Sequence, residues 1–128
     1  MLFVCGENSG RSQMAEAFAR AYGVMASSAG TMPAATLNAS VVEAMKERGM
    51  SLAGKPKMLT EEMIKEADLI VTLGCSVEEV FPEPLISLME KKVVDWKIDD
   101  PKGKSIDDVR NIRAQIEEKV LSLSKKNN

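Results

Sequence analysis

The chain has 128 residues, of which 45% are apolar and 28% are charged, and its formal net charge is −2. This length and composition predict one domain, residues 1–128, that buries its own core. The charge balance argues against nucleic acid or a membrane surface as a partner. No apolar run is long enough to span a bilayer, and the chain opens on a strand-like segment without a basic leader, so we expect a cytoplasmic protein.

Two cysteines and no histidine narrow the possible chemistry. Ser-His-Asp and Cys-His catalysis both need an imidazole, and so does a histidine-ligated metal. Two thiols alone do not make a structural zinc site, and a reducing cytosol does not favour a structural disulfide. We therefore expect neither a metal nor a cofactor.

The predicted elements alternate between short apolar strands and amphipathic helices. Glycines at 23 and 49 are predicted to end the first two helices, and Thr60 and Ser105 to begin the later ones. Strands that are apolar on both faces predict a parallel sheet with helices on both sides, a small doubly wound α/β fold. In chain order we predict a strand at 1–5, a helix at 12–22, a strand at 24–28, a helix at 38–48, a helix at 60–67, a strand at 69–73, a helix or turn within 76–91, a strand at 92–98 and a helix at 105–123. The last helix is predicted to bury five residues on one face: Val109, Ile112, Ile116, Val120 and Leu123.

Cys5 ends the first predicted strand, and Arg11 stands where the first helix begins. Ligands of doubly wound sheets bind beyond the carboxyl ends of the strands, and a helix N-terminus with inward-turned backbone amides binds an oxyanion there. The glycines between the two elements permit tight turns, and Asn8 tolerates a left-handed conformation. The alternative is a buried structural thiol beside an ordinary surface arginine. The predicted phosphate-binding residues are Gly6, Glu7, Asn8, Ser9, Gly10, Arg11 and Ser12.

The same setting predicts that Cys5 is a nucleophile. A helix N-terminus and a nearby cation favour the thiolate, which Ser12 is placed to hydrogen-bond, and no base is then required to activate it. Asp99 and Asp100, in the loop after the last predicted strand, are candidates for the general acid, and Asp100 is favoured, although Asp-Asp-Pro is also typical of a simple turn. Trp96 is the large aromatic residue nearest this predicted site.

Four stretches, VCGENSGRSQMAEAF, SSAGT, ADLIVTLGC and DWKIDDPKGK, resemble the low-molecular-weight protein tyrosine phosphatase superfamily, which includes the thioredoxin-coupled arsenate reductases. The resemblance implies a parallel sheet of order 2-1-3-4. It also implies that Cys5 is the nucleophile, that Arg11 clamps the transition state, and that Asn8 and Ser12 hold the loop and the thiolate. Asp100 is implied to be the general acid.

The sequence also departs from this family's patterns. Phosphatases of the family usually carry aromatic residues after the Asp-Pro pair, where this chain has Lys102, Gly103 and Lys104, as is more typical of the reductases. Reductases pass electrons through three cysteines, of which Cys5 and Cys75 match two, while Phe81 occupies the expected position of the third.

Two positions in the loop depart as well. Gly10 stands where many relatives keep a second loop cysteine, and Glu7 replaces a frequent glycine. The charge of Glu7 is expected to weaken anion binding unless the side chain points outward or pairs with a lysine.

These residues favour a cysteine-dependent phosphatase that hydrolyses phosphotyrosine or small aryl phosphates through a phosphocysteine. The alternative is an arsenate reductase that uses Cys5 and Cys75 with an external thiol donor such as a thioredoxin-like protein. Cys75 would then be a resolving thiol, against a plainer interpretation as a half-buried structural thiol. A third class, the phosphocysteine carriers, shares the predicted architecture, but a general acid and a clamping arginine would shorten the life of its phosphocysteine.

Overall fold

The structure, a computed structural model, describes residues 1–52, 54–74 and 93–126. The helix or turn predicted within 76–91 lies outside these residues. The described elements are β1 (Leu2–Cys5), α1 (Arg11–Ala21), β2 (Ser27–Gly30), α2 (Ala39–Lys46), α3 (Glu61–Glu66), β3 (Ile70–Thr72), β4 (Val93–Asp95) and α4 (Ile106–Lys126).

The four strands form one parallel sheet in the order β2-β1-β3-β4, which confirms the predicted topology. Cys5 at the end of β1 pairs with Gly30 at the end of β2, and Val4 pairs with Thr72 at the end of β3. The carboxyl ends of the three strands therefore meet at one edge of the sheet, where ligands of such sheets bind.

Helices pack on both faces of the sheet, as the apolar strands predict. Phe3 and Cys5 face a core that contains buried side chains of α1, α2 and α4. Leu2 and Val4 point to the opposite face, where they pack with Ile64 of α3. Alternation along a single strand thus supplies both layers of the core. None of the helices in the described part of the chain combines the length and hydrophobicity that a membrane span requires.

The second strand begins three residues later than its sequence indicates. Gly23 ends α1 with a φ of +81°, and the amides of Gly23 and Val24 donate to the carbonyls of Arg20 and Ala19. This pattern is a Schellman motif, so Val24 closes the helix and packs against the core instead of entering the sheet. Strand pairing begins at Ser27, whose amide donates to the carbonyl oxygen of Met1.

The last strand is shorter than predicted, and in the last helix one of the residues predicted to be buried is not buried. Lys97 has a φ of +53°, which takes the chain out of the extended conformation soon after Asp95. In α4, four of the five residues predicted to be buried have exposures of 3% or less, whereas Leu123 is half-exposed and Ser124 is buried in its place. The helical phase at this end therefore turns Ser124 towards α1, where its hydroxyl lies 3.5 Å from the Tyr22 carbonyl oxygen.

Candidate functional site

The loop from Gly6 to Gly10 connects β1 to α1 and is organised around Asn8. Asn8 has a φ of +51° and is fully buried. Its Oδ1 accepts hydrogen bonds from the backbone N of Lys57 at 2.8 Å and from Nε2 of Gln13 at 3.1 Å. Because a backbone N–H can only donate, the orientation of the Asn8 amide is fixed, and its Nδ2 donates to Ser12 Oγ at 2.7 Å.

Ser12 hydrogen-bonds Cys5, as the sequence predicts. The Cys5 Sγ atom lies 2.9 Å from Ser12 Oγ, and Cys5 is only 3% exposed. Since Asn8 donates to the serine oxygen, the serine proton is available to point at the sulfur. A thiolate at Cys5 therefore receives a donor through a chain of hydrogen bonds that begins at the backbone of Lys57.

Gly30 is a residue of this site that the sequence interpretation missed. A β-carbon at Gly30 would lie 2.5 Å from the carbonyl oxygen of Gly6 and 2.9 Å from the backbone N of Asn8. Any side chain there would displace the loop, so β2 must end in glycine for the loop to fold back over it. The signal in the sequence was the glycine of SSAGT, which follows the predicted strand at 24–28.

Arg11 is oriented by backbone carbonyl groups of two distant segments. Its Nη1 donates to the carbonyl oxygens of Leu73 at 2.6 Å and Ile98 at 2.8 Å. The side chain is 12% exposed, and Nη2 lies 3.9 Å from Oδ2 of Asp100. One side of the guanidinium is thus anchored to the sheet edge, and the arginine is held beside the loop that it follows in sequence.

Asp100 both forms a turn and lines the site. Its Oδ1 accepts a hydrogen bond from the backbone N of Lys102 at 3.0 Å, which is the turn predicted for Asp-Asp-Pro. Pro101 is buried, and a β-carbon at Gly10 would lie 3.1 Å from its Cγ. Gly10 therefore lets the loop around Asp100 pack closely against the loop from Gly6 to Gly10.

The charge of Glu7 is paired. Its Oε1 lies 3.0 Å from Nζ of Lys102, and Ser9 Oγ donates to its Oε2 at 3.4 Å. The hydrogen bond to Glu7, followed by the attraction between the two charges, raises the pKa of the Lys102 ammonium. Glu7 was expected to be compatible with anion binding if it paired with a lysine. The structure contains such a pair.

These groups surround one small cleft with a volume of about 150 Å³. None of its described lining residues is aromatic. Trp96 instead packs against Phe3, with ring centroids 5.6 Å apart. Cys75, the candidate resolving thiol, lies outside the described residues. The lining residues are Cys5, Gly6, Glu7, Ser9, Gly10, Arg11, Asn38, Asp100, Pro101 and Lys102.

Fold and site together define a class of protein: a doubly wound α/β domain in which a cysteine ends the first strand and an arginine begins the first helix, with a short loop between them. The family model described as "Low molecular weight phosphotyrosine protein phosphatase" matches residues 1–127. The chain belongs to this family and is an enzyme of its superfamily.

The relatives of this chain are named for different activities. A "Putative arsenate reductase" from Halobacterium salinarum is 36% identical over 94% of this chain and 87% of its own. A "Glutaredoxin arsenate reductase" from Synechocystis sp. is 30% identical over 96% of this chain and 94% of its own. The solved structure of the YwlE arginine phosphatase from Geobacillus stearothermophilus matches with a TM-score of 0.87 and 27% identity, over 98% of this chain and 90% of that one.

Proposed function

We propose that this protein is an arsenate reductase in which Cys5 attacks arsenate and Cys75 resolves the adduct. The observation that carries the proposal is the cleft itself, which measures about 150 Å³ and whose described lining residues include an ion pair and no aromatic side chain. Such a cleft suits a free tetrahedral oxyanion better than an aryl phosphate. The names of the two sequence relatives support the same reaction, which replaces the phosphatase as the favoured function.

In the first step the loop from Gly6 to Ser12 binds arsenate through its backbone amides, and Arg11 pairs with two of the arsenate oxygens. Ser12 donates to the Cys5 thiolate and Asn8 holds the loop in shape. The thiolate attacks arsenic, and one arsenate hydroxyl leaves as water after it receives a proton from Asp100. Arsenic is still in its pentavalent state at this point, bonded to the sulfur of Cys5.

The second step is a thiol exchange that reduces the arsenic. The Cys75 thiolate attacks the Cys5 sulfur, the sulfur–arsenic bond breaks, and its electron pair stays with arsenic, which leaves as arsenite. Two thiols become one disulfide, and arsenic gains two electrons. An external thiol donor of the thioredoxin or glutaredoxin type then reduces the disulfide. The resolving role of Cys75 is supported by the position of the residue before it in sequence. Gly74 lies beside the site, since a β-carbon there would be 2.5 Å from Nη1 of Arg11.

A phosphatase is the second candidate, because every group it needs lies among the described residues. Cys5 would take the phosphoryl group, Arg11 would clamp it, and Asp100 would protonate the leaving oxygen and then activate water. The arginine phosphatase among the solved structures supports a phosphoryl substrate of this kind. This reaction makes no use of Cys75.

Two substitutions separate the two reactions. With a thioredoxin or glutaredoxin system and arsenate, we expect arsenite release that is abolished by Cys75→Ala and by Cys5→Ser. With a chromogenic aryl phosphate, we expect slow turnover that Cys75→Ala leaves intact and Cys5→Ser abolishes. Aryl phosphate turnover without any arsenite release would replace the reductase with the phosphatase, and arsenite release that survives Cys75→Ala would remove the resolving role of Cys75.

A further inference from the structure

Glu7 and Lys102 belong to the two loops that form the cleft, and their side chains meet across it. Their charged atoms lie 3.0 Å apart, although 95 positions separate the residues in sequence. Both residues line the cleft, with side chains that are 45% and 69% exposed, whereas Cys5 is 3% exposed. The ion pair therefore lies at the mouth of the cleft, and the thiol lies at its base.

Each partner of the pair is also fixed within its own loop. Ser9 Oγ donates to the second carboxylate oxygen of Glu7 at 3.4 Å. The backbone N of Lys102 donates to Oδ1 of Asp100 at 3.0 Å. The pair consequently connects the phosphate loop to the turn that carries the candidate general acid, and it limits how far the two can separate.

The position of the pair matters because of the direction of attack. A thiolate at the base of the cleft displaces the group on the opposite side of the central atom, which is the side of the mouth. For a free oxyanion that group is a hydroxyl. For an ester it is an oxygen with its organic substituent, which extends towards the mouth, where Glu7 and Lys102 lie. The cleft of about 150 Å³ is well below the ~300 Å³ at which pockets for larger organic ligands begin.

We propose that the Glu7–Lys102 ion pair is a specificity element that favours free tetrahedral oxyanions over their organic esters. The inference rests on the proposed function and names its substrate class. The pair discriminates by up to about fivefold, which corresponds to ~1 kcal/mol, the upper end for an exposed ion pair.

The test compares the binding of two anions to protein that carries Cys5→Ser, so that no reaction follows. Dissociation constants for inorganic phosphate and for phenylphosphonate are measured by calorimetry in this background and with Glu7→Gln or Lys102→Met added. Removing the negative charge strengthens binding of both anions, and removing the positive charge weakens both. These charge effects cancel in the ratio of the two constants, whereas loss of the pair shifts the ratio towards phenylphosphonate by about threefold to fivefold in both variants.

The matched control is Lys104→Met, which removes an exposed lysine two residues further along the same loop. Its ratio is expected to equal that of the parent, and the charge swap Glu7→Lys with Lys102→Glu is expected to return the ratio towards the parent. A ratio that is unchanged in both single variants, or that moves in opposite directions, overturns the proposal. If the native protein releases arsenite and the ratio does not move, the reductase stands and the specificity element falls. If the ratio moves and the native protein releases no arsenite, the specificity element stands and the reductase falls. If phosphate does not bind, both proposals fall.

Discussion

Gly74 has a φ of +114°, and a β-carbon there would lie 2.2 Å from the Ile98 carbonyl oxygen and 2.5 Å from Nη1 of Arg11. The missing side chain leaves the space in which the guanidinium reaches both carbonyl groups that hold it. At the scale of single residues, then, the position of the arginine depends on a residue that supplies no chemistry of its own. Gly30 has the same relation to the loop at residues 6–10.

Gly74→Ala is expected to lower both stability and anion affinity. The left-handed backbone alone costs an alanine about 1–3 kcal/mol, and the methyl group must also displace the guanidinium. We expect the affinity for inorganic phosphate to fall by about tenfold or more, equivalent to ~1.4 kcal/mol, as measured by calorimetry beside urea unfolding. Gly54→Ala is the control, since a β-carbon there has no atom within 4 Å. Unchanged phosphate affinity in Gly74→Ala would show that Arg11 does not depend on this contact.

At the scale of elements, a carboxylate at the end of α2 binds two arginines of α4. Glu47 follows the last residue of α2, and its oxygens accept from Arg110 Nη2 at 2.7 Å and from Arg113 Nη1 at 2.8 Å. A negative charge at a helix C-terminus is unfavourable by itself, and the two arginines offset it. Val41, on the same helix, lies against Gly10 of the loop at residues 6–10, so this contact between helices supports the candidate site from behind.

The contribution of Glu47 to stability is expected to disappear in acid. Hydrogen bonds from Arg110 and then Arg113 lower the pKa of the Glu47 carboxyl from 4.5 to about 2. A carboxyl with a lowered folded-state pKa stabilises the fold above its unfolded-state pKa, and that stabilisation is lost as the pH falls through the folded-state value. Urea unfolding of the native protein and of Glu47→Gln should therefore differ by a constant amount above about pH 5. The difference should shrink between pH 4.5 and 2, and a difference that persists below pH 2 would contradict the assignment.

At the scale of the whole molecule, the proposed anion site is assembled only in the folded chain. The loop at residues 6–10, the end of β3 and the turn at Asp100 come from three separate parts of the sequence, and the contacts of Arg11 hold them together. A ligand that binds only this assembled state stabilises the fold by mass action. Thermal stability therefore reports on the site independently of any reaction.

Inorganic phosphate and arsenate are both expected to raise the melting temperature. At a concentration of 100 times the dissociation constant the stabilisation is about 2.7 kcal/mol, which for a domain of this size is on the order of 10 °C. Arg11→Lys should lose most of the shift, because an ammonium cannot make the forked contact of a guanidinium. Differential scanning calorimetry, with sodium chloride at equal ionic strength as the control, measures the effect. An equal shift in Arg11→Lys would remove the arginine from the anion site.

Features that depend on neighbours in sequence could be predicted, because local patterns encode them. Alternating strands and helices gave the parallel sheet, and a cysteine and an arginine at the two ends of a short loop indicated where the site lies. Asn8 suited a left-handed turn, and Ser12 lay within reach of Cys5. Each of these depends on residues a few positions apart, whose conformational preferences act whatever the rest of the chain does.

Other features were decided only when distant segments came together. The register with β1 placed the start of β2 at Ser27, although Val24 has the stronger strand propensity. The backbone carbonyls of Leu73, just after β3, and of Ile98, in the segment after β4, hold Arg11, and every residue has such a carbonyl, so no residue type in the sequence indicates the role. By itself the sequence determined the fold class and the residue types of the site. Tertiary structure decided that Glu7 pairs with Lys102 across the cleft. It also decided that Gly30 leaves room for the loop at residues 6–10 and Gly74 for the side chain of Arg11. The reason is that contacts between remote residues depend on packing geometry that no local pattern contains.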